Sequence, residues 1–113
     1  MIYNGIFEQI KHDDGVFTEL NIYAGEEKLD LRHDLMNHSQ QFSVGFLGSG
    51  PSQASLSILA HAMGEEFGLK HYMRFKCDVI AGLKQDEDFA LRFKDIVRWA
   101  EKIASEEKSY ETR

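Results

Sequence analysis

The residues with the best claim to chemistry in this chain are Gly48, Ser49 and Gly50, followed by Pro51, where an apolar stretch runs into a run of small and apolar residues. A helix beginning here would present N–H groups with no intrahelical partner and the positive end of its dipole, and glycines let an anion approach the backbone. Ser49 would add a hydroxyl. The spacing is not that of a P-loop, because no Lys follows, and Pro51 and Ser52 interrupt a GxGxxG pattern. A purely structural reading competes with this one. Glycine lets a strand turn sharply into a buried helix, and Ser49 or Gly50 would cap it.

Asn37 and His38, with Ser39, come next. They precede the central apolar stretch, and His38 would either face a ligand phosphate or hold its own loop. Asn and Ser are also ordinary turn residues that bond their own backbone. His61 and Glu65 stand four apart on one helix, but two ligands do not make a metal site, and no cluster has metal-ligand spacing. Ser49 lacks the spacing of a nucleophile elbow. Cys77 falls on the expected apolar face of its helix, as an inert core thiol would. Lys70, Arg74 and Lys76 form a basic cluster that reads as a solvated face or as a contact for an acidic group. No catalytic residue, metal or cofactor is assigned.

The elements that must position these residues follow from the pattern. Residues 2–32 predict an antiparallel hairpin or meander. Tyr3, Gly5 and Phe7 share one face, Asp14-Gly15 marks a hairpin turn, and Leu20 and Ile22 alternate with Asn21. Gly25-Glu26-Glu27 predicts a second turn and Lys28 to Leu31 a short third strand. Arg32 to Gln41 reads as a loop. Phe42 to Leu47 predicts another strand, in which Gly45 marks a bulge or a close backbone approach. Helices are expected over 51–63, with Pro51 at the first helical position, over 69–83, and over 89–107. The first is apolar nearly all round and so belongs at the centre. In the second, Leu69, Tyr72, Met73, Cys77, Ile80 and Leu83 form the apolar stripe. In the third it is Phe89, Phe93, Ile96, Val97, Ala100 and Ile103. Residues 108–113 are expected to fray.

Composition bounds the class. A chain of 113 residues is the size of a single domain, here 1–113, and a 42% hydrophobic content with eight Phe is enough for one core. The net charge of −6 argues against direct nucleic-acid binding, which favours basic surfaces. It suits solubility or a basic protein partner. The single Cys leaves no intramolecular disulfide. The first residues lack the basic and apolar regions of a signal peptide, and no stretch is apolar enough to span a membrane, so the chain reads as cytoplasmic.

The run Asn37-His38-Ser39, Phe42, Gly45-Phe46, Gly48-Ser49-Gly50-Pro51, Gln53, Leu56 and Ile58-Leu59-Ala60 resembles the core motif of the DUF6166 family, a family of unknown function. Arg74-Phe75-Lys76, Val79-Ile80-Ala81, Ile96 and Trp99 resemble its second block, so the likeness covers about residues 1 to 103. The chain departs from the family pattern at Gln40, Val44 and Leu47, where Pro, Trp and Gly are usual. The resemblance implies a fold and a prokaryotic or phage origin. The expected architecture is α+β: a small antiparallel sheet of three or four strands with three C-terminal helices packed on it. The expected function is a non-enzymatic interaction protein whose acidic surface engages a partner protein, with host-defence inhibition as one setting. The alternative is a small-molecule binder taking a nucleotide-like anion at the helix start. A homodimer is a further expectation, and the sequence does not decide whether Leu91 and Trp99 mark its face.

Overall fold

A computed structural model describes the backbone of residues 1–111 and the side chains through Lys108. Its first half is a long hairpin. β1 (Ile2–His12) and β2 (Gly15–Ala24) pair without a break from Tyr3↔Ala24 to His12↔Gly15. The turn is Asp13-Asp14, and Gly15 takes a φ of 136° that a residue with a Cβ rarely adopts. One face of the hairpin carries Tyr3, Gly5, Ile22, Leu20 and Ala24 into the core. After Gly25, β3 (Glu27–Lys28) pairs briefly with β2.

The fourth strand comes from a stretch expected to be helical. Phe89–Arg92 forms β4 and pairs antiparallel with the start of β1, from Ile2↔Arg92 to Gly5↔Phe89, giving a sheet of order β3-β2-β1-β4. Phe89 and Phe93 fit a helical repeat, but Phe89 and Leu91 equally fit strand alternation. The unpaired edge of β1 decides in favour of the strand. The last helix therefore starts at Phe93 rather than 89, and runs to Glu111 as α3 (Phe93–Glu111). Of the tail expected to fray, residues 112–113 lie outside the description.

A second correction concerns residues 42–47. Only Phe42 makes a bridge, to Leu20, and the rest is irregular chain curling toward the next helix. The close approach expected at Gly45 is present: its φ is 88°, its N–H donates to Ile80 O, and a Cβ there would lie 2.7 Å from Gln85 N.

α1 (Ser49–Met63) is the central helix, with Gly50 through Ala60 buried along its length. It begins two residues earlier than expected, so Pro51 is its third residue; the first turn has no N–H to lose there either. Gly64, at φ 93°, links it to α2 (Glu65–Asp78), which lies back along α1 so closely that a Cβ on Gly68 would stand 2.8 Å from Ala60 Cα. This tight contact turns α2. Its buried stripe is Gly68, His71, Tyr72 and Phe75, while Leu69, Met73 and Cys77, expected in that stripe, are exposed. α2 ends at Asp78, and Ile80–Gly82 forms a single 3-10 turn instead of continuing the helix to 83. Ile96, Ala100 and Ile103 of α3 are buried as the repeat predicts. The molecule is an α+β fold, a four-stranded antiparallel sheet with its helices packed on one face.

Candidate functional site

The start of α1 shows why its glycines are there. Gly48 is the N-cap in extended backbone, with no side-chain cap bond, so neither Ser49 nor Gly50 caps the helix. The Phe46 ring lies over Gly48, where a Cβ would come within 2.6 Å of Cε2. A Cβ on Gly50 would sit 1.7 Å from Ser43 Oγ. Both glycines thus admit neighbouring chain against the helix end, and Ser49 alone of the three is exposed. Ser52 closes the first turn by donating to Gly48 O at 3.0 Å, and Lys76 Nζ reaches across from α2 to donate to Ser52 Oγ at 2.9 Å.

The loop bearing Asn37 and His38 meets the same turn of α1 from another side. Its anchor is Gln53, whose side chain is fully buried. Gln53 Oε1 accepts from the N–H groups of His38 at 2.7 Å and Ser39 at 3.1 Å, while Nε2 donates to Leu31 O and to Met36 O at 3.0 Å. One amide satisfies four backbone groups, using both of its donors and both lone pairs of its oxygen. His38 Nε2 shares a 2.6 Å hydrogen bond with the Tyr72 hydroxyl, whose pKa burial pushes up. His33 Nε2 donates to Ser39 O at 2.7 Å, tying the loop ends together. Asn37 stays exposed at the surface. The sequence signal for Gln53 was present, since a lone amide amid small and apolar helix residues needs partners.

His61 and Glu65 do not converge. His61 Nε2 faces Glu27 Oε2 at 3.0 Å and its Nδ1 meets Tyr3 Oη at 2.8 Å, whereas Glu65 pairs with Arg32. A carboxylate only accepts, so Nε2 carries a proton and, in the neutral ring, Nδ1 accepts the Tyr3 O–H. Burial, then the Glu27 charge, push the Tyr3 pKa up to about 12. This chain ties β1, β3 and α1 together. Among the described residues no group of three His, Cys, Asp or Glu side chains could hold a metal ion. In the basic cluster, Lys70 pairs with Glu107 and Arg74 with Asp78 and Glu106. Leu91 and Trp99 line an apolar groove of about 400 Å³ with Ile2, Phe75 and Ile96; the Trp99 indole N–H donates to Asp78 Oδ2 at 2.8 Å.

The outlying part of the molecule is the hairpin. β4 accompanies β1 only along residues 2–5, and β3 accompanies β2 only at Tyr23 and Ala24. Every residue from Lys11 to Thr18 is exposed, including Val16 at 59% and Phe17 at 52%, and the long axis of the molecule measures 59 Å. Glu8 and Glu19 stand directly opposite each other across the two strands, a like-charge pair that is unfavourable on its own. Tyr23 Oη at 2.6 Å and Asn21 Nδ2 at 3.2 Å donate to Glu8 Oε1, and these bonds lower the Glu8 pKa. The hairpin is an arm bearing negative charge, with Asp13 and Asp14 at its tip and exposed Val16 and Phe17 just behind them on β2.

Fold and site together define a small α+β protein with a braced helix start and a projecting two-stranded arm. Residues 11–102 match the family model described as Family of unknown function (DUF6166), and the chain belongs to that family. No curated protein and no solved structure matches it. Among the described residues no helix is long and apolar enough to cross a membrane.

Proposed function

We propose that this chain is a non-enzymatic interaction protein that engages a partner protein through the acidic β1–β2 arm. The observation that supports this is the arm itself. Residues 11–18 are wholly exposed, contribute nothing to the core, and carry Val16 and Phe17 just behind the tip of an acidic hairpin. An isolated two-stranded ribbon is marginally stable in water, so maintaining one outside the core suits a contact surface. Exposed apolar residues within a charged surround resemble the composition of an interface core and its rim. The prokaryotic or phage origin comes from the family resemblance; host-defence inhibition is a setting added by the proposal itself.

The test is affinity purification from the native host with the parent chain and with Asp13→Lys/Asp14→Lys. The proposal expects a basic protein to be captured by the parent and lost from the variant. Equal capture by both contradicts it.

A second reading is favoured by one contact. Lys76 Nζ, placed on Ser52 in the first turn of α1, adds a positive charge to the helix end beside exposed Ser49. On this reading a nucleotide-like anion binds there, within reach of Gly48, Ser49 and Gly50 and near the Asn37-His38 loop. A panel of nucleotides should then raise the melting temperature, and Ser49→Asp should abolish that rise with the fold intact. No shift across the panel sinks this reading. Self-association through the Leu91–Trp99 groove is tested separately by sedimentation, where Trp99→Ala should leave a dimer as monomer.

A further inference from the structure

We infer that the free edge of β1, from Phe7 to Lys11, is a docking site for an extended basic segment of a partner protein, bound by strand addition. The inference rests on the arm being an interaction surface and specifies the backbone groups and the chemistry of the partner.

The direction of the backbone groups follows from the observed bonds. Phe93 N–H donates to Met1 O, toward β4, while Gly25 N–H donates to Ile2 O, from the β2 side. Alternation along an antiparallel strand then turns the odd residues of β1 toward β4 and the even residues toward β2. β4 ends its pairing at Gly5↔Phe89. At the next odd position, Phe7, a side chain substitutes for the missing strand: Phe7 N–H donates to Asp88 Oδ1 at 2.8 Å. Beyond it the edge is open. The Phe7 carbonyl and the N–H and C=O of Gln9 and Lys11 face outward, with no hydrogen bond to any described residue on that side.

Proteins normally blunt such edges with bulges, prolines or several charges. The β1–β2 register is continuous to the turn, the segment has no proline, and Lys11 is its one cation. The opposite edge of the arm is met at Leu20, where Phe42 makes a bridge, whereas β1 has no such bridge beyond Phe7 among the described residues.

The charges at its two ends identify the occupant. Asp86, Glu87 and Asp88 are exposed at the base and Asp13 and Asp14 at the tip. Phe7 and Asp13 are separated by roughly 20 Å along an extended strand. A second copy of this chain, pairing edge to edge, would bring its own acidic tip against the acidic base. An extended segment with Lys or Arg toward both ends and β-forming residues between them meets acids at each end and supplies the missing ladder. Main-chain bonds give such a contact its affinity, and the flanking charges its specificity.

The probe is the octapeptide Lys-Lys-Thr-Val-Thr-Val-Lys-Lys, added to the isotope-labelled full chain at low salt, with amide exchange read by NMR. Protection of the Gln9 and Lys11 amides is expected, with the amides of Glu8 and Ile10, already bonded to β2, unchanged. The peptide N-methylated at alternate residues keeps its charge but loses its donors. It should bind about tenfold more weakly or worse, as should the form with Glu for Lys. Gln9→Pro, which removes an outward N–H at an edge where proline is tolerated, should bind similarly weakly. No binding by the parent peptide, protection elsewhere, or equal binding of the N-methylated form overturns the inference. A partner that is captured equally by the parent chain and Gln9→Pro, yet lost on reversing Asp13 and Asp14, leaves the arm reading standing and removes strand addition. Absence of any arm-dependent partner removes the arm reading itself.

Discussion

Gln53 carries more of this fold than any residue whose type suggests chemistry. Its amide fixes Leu31, Met36, His38 and Ser39 on the first turns of α1, and its burial leaves no water to replace it. Gln53→Leu keeps the volume but strands four backbone groups, so it should cost about 2–4 kcal/mol in urea unfolding. A loss below about 0.5 kcal/mol would show that the loop re-forms its bonds elsewhere. Tyr3 makes a different prediction. Its pKa is about 12 in the fold against an ordinary tyrosine value of 10.0, so the folded protein holds the proton more tightly than the unfolded chain. That contribution is complete below pH 10 and is lost as pH rises toward 12. Alkaline unfolding should steepen in this window, and Tyr3→Phe should flatten it; an unchanged profile contradicts the assignment. At this scale the sequence was legible in residue type but not in partner. It marked His38 as a loop or ligand residue, whereas the Gln53 and Tyr72 partners lie 15 and 34 positions away. Distances of that kind are set by tertiary packing.

At the scale of elements, the hairpin and the central helix could be read directly, because alternation and an all-round apolar helix are local signals. β4 could not. Phe89 and Phe93 fit a helical repeat while Phe89 and Leu91 fit strand alternation, and only the empty edge of β1 selects the strand. The α2 stripe was misplaced for a related reason: Gly68 carries no hydrophobic signal, yet its close approach to Ala60 sets which face of the helix turns inward. Gly68→Val should therefore destabilise by about 1–3 kcal/mol, although Val is the better helix former, since the nearest atoms are backbone. A neutral result by thermal unfolding would mean the helices separate freely. The arm makes the opposite prediction. Replacing residues 11–16 by Asn-Gly, which joins the paired residues Ile10 and Phe17 through a two-residue turn, should change stability by less than about 1 kcal/mol. A larger loss would make the arm part of the core.

At the scale of the whole molecule, a net charge of −6 is shared unevenly in its consequences. Lys70 and Arg74 are paired with acids of α2 and α3, while the arm and its base leave Asp13, Asp14, Asp86 and Glu87 at the surface. Binding through these exposed charges is screened by salt, so capture of a basic partner should weaken as ionic strength rises above the physiological level. Salt-independent capture points instead to the apolar groove at Trp99. The α1 glycines began as the strongest chemical signal and are accounted for by the chain packed against them. The arm, which reads in sequence as an ordinary hairpin, is the part the core does not use.

The most direct measurement compares the parent chain with the arm-shortened variant, matched in stability, in quantitative affinity purification from the native host. The account predicts a basic protein enriched by the parent, absent with the shortened arm and released by moderate salt. The same proteins held equally by both chains would contradict it.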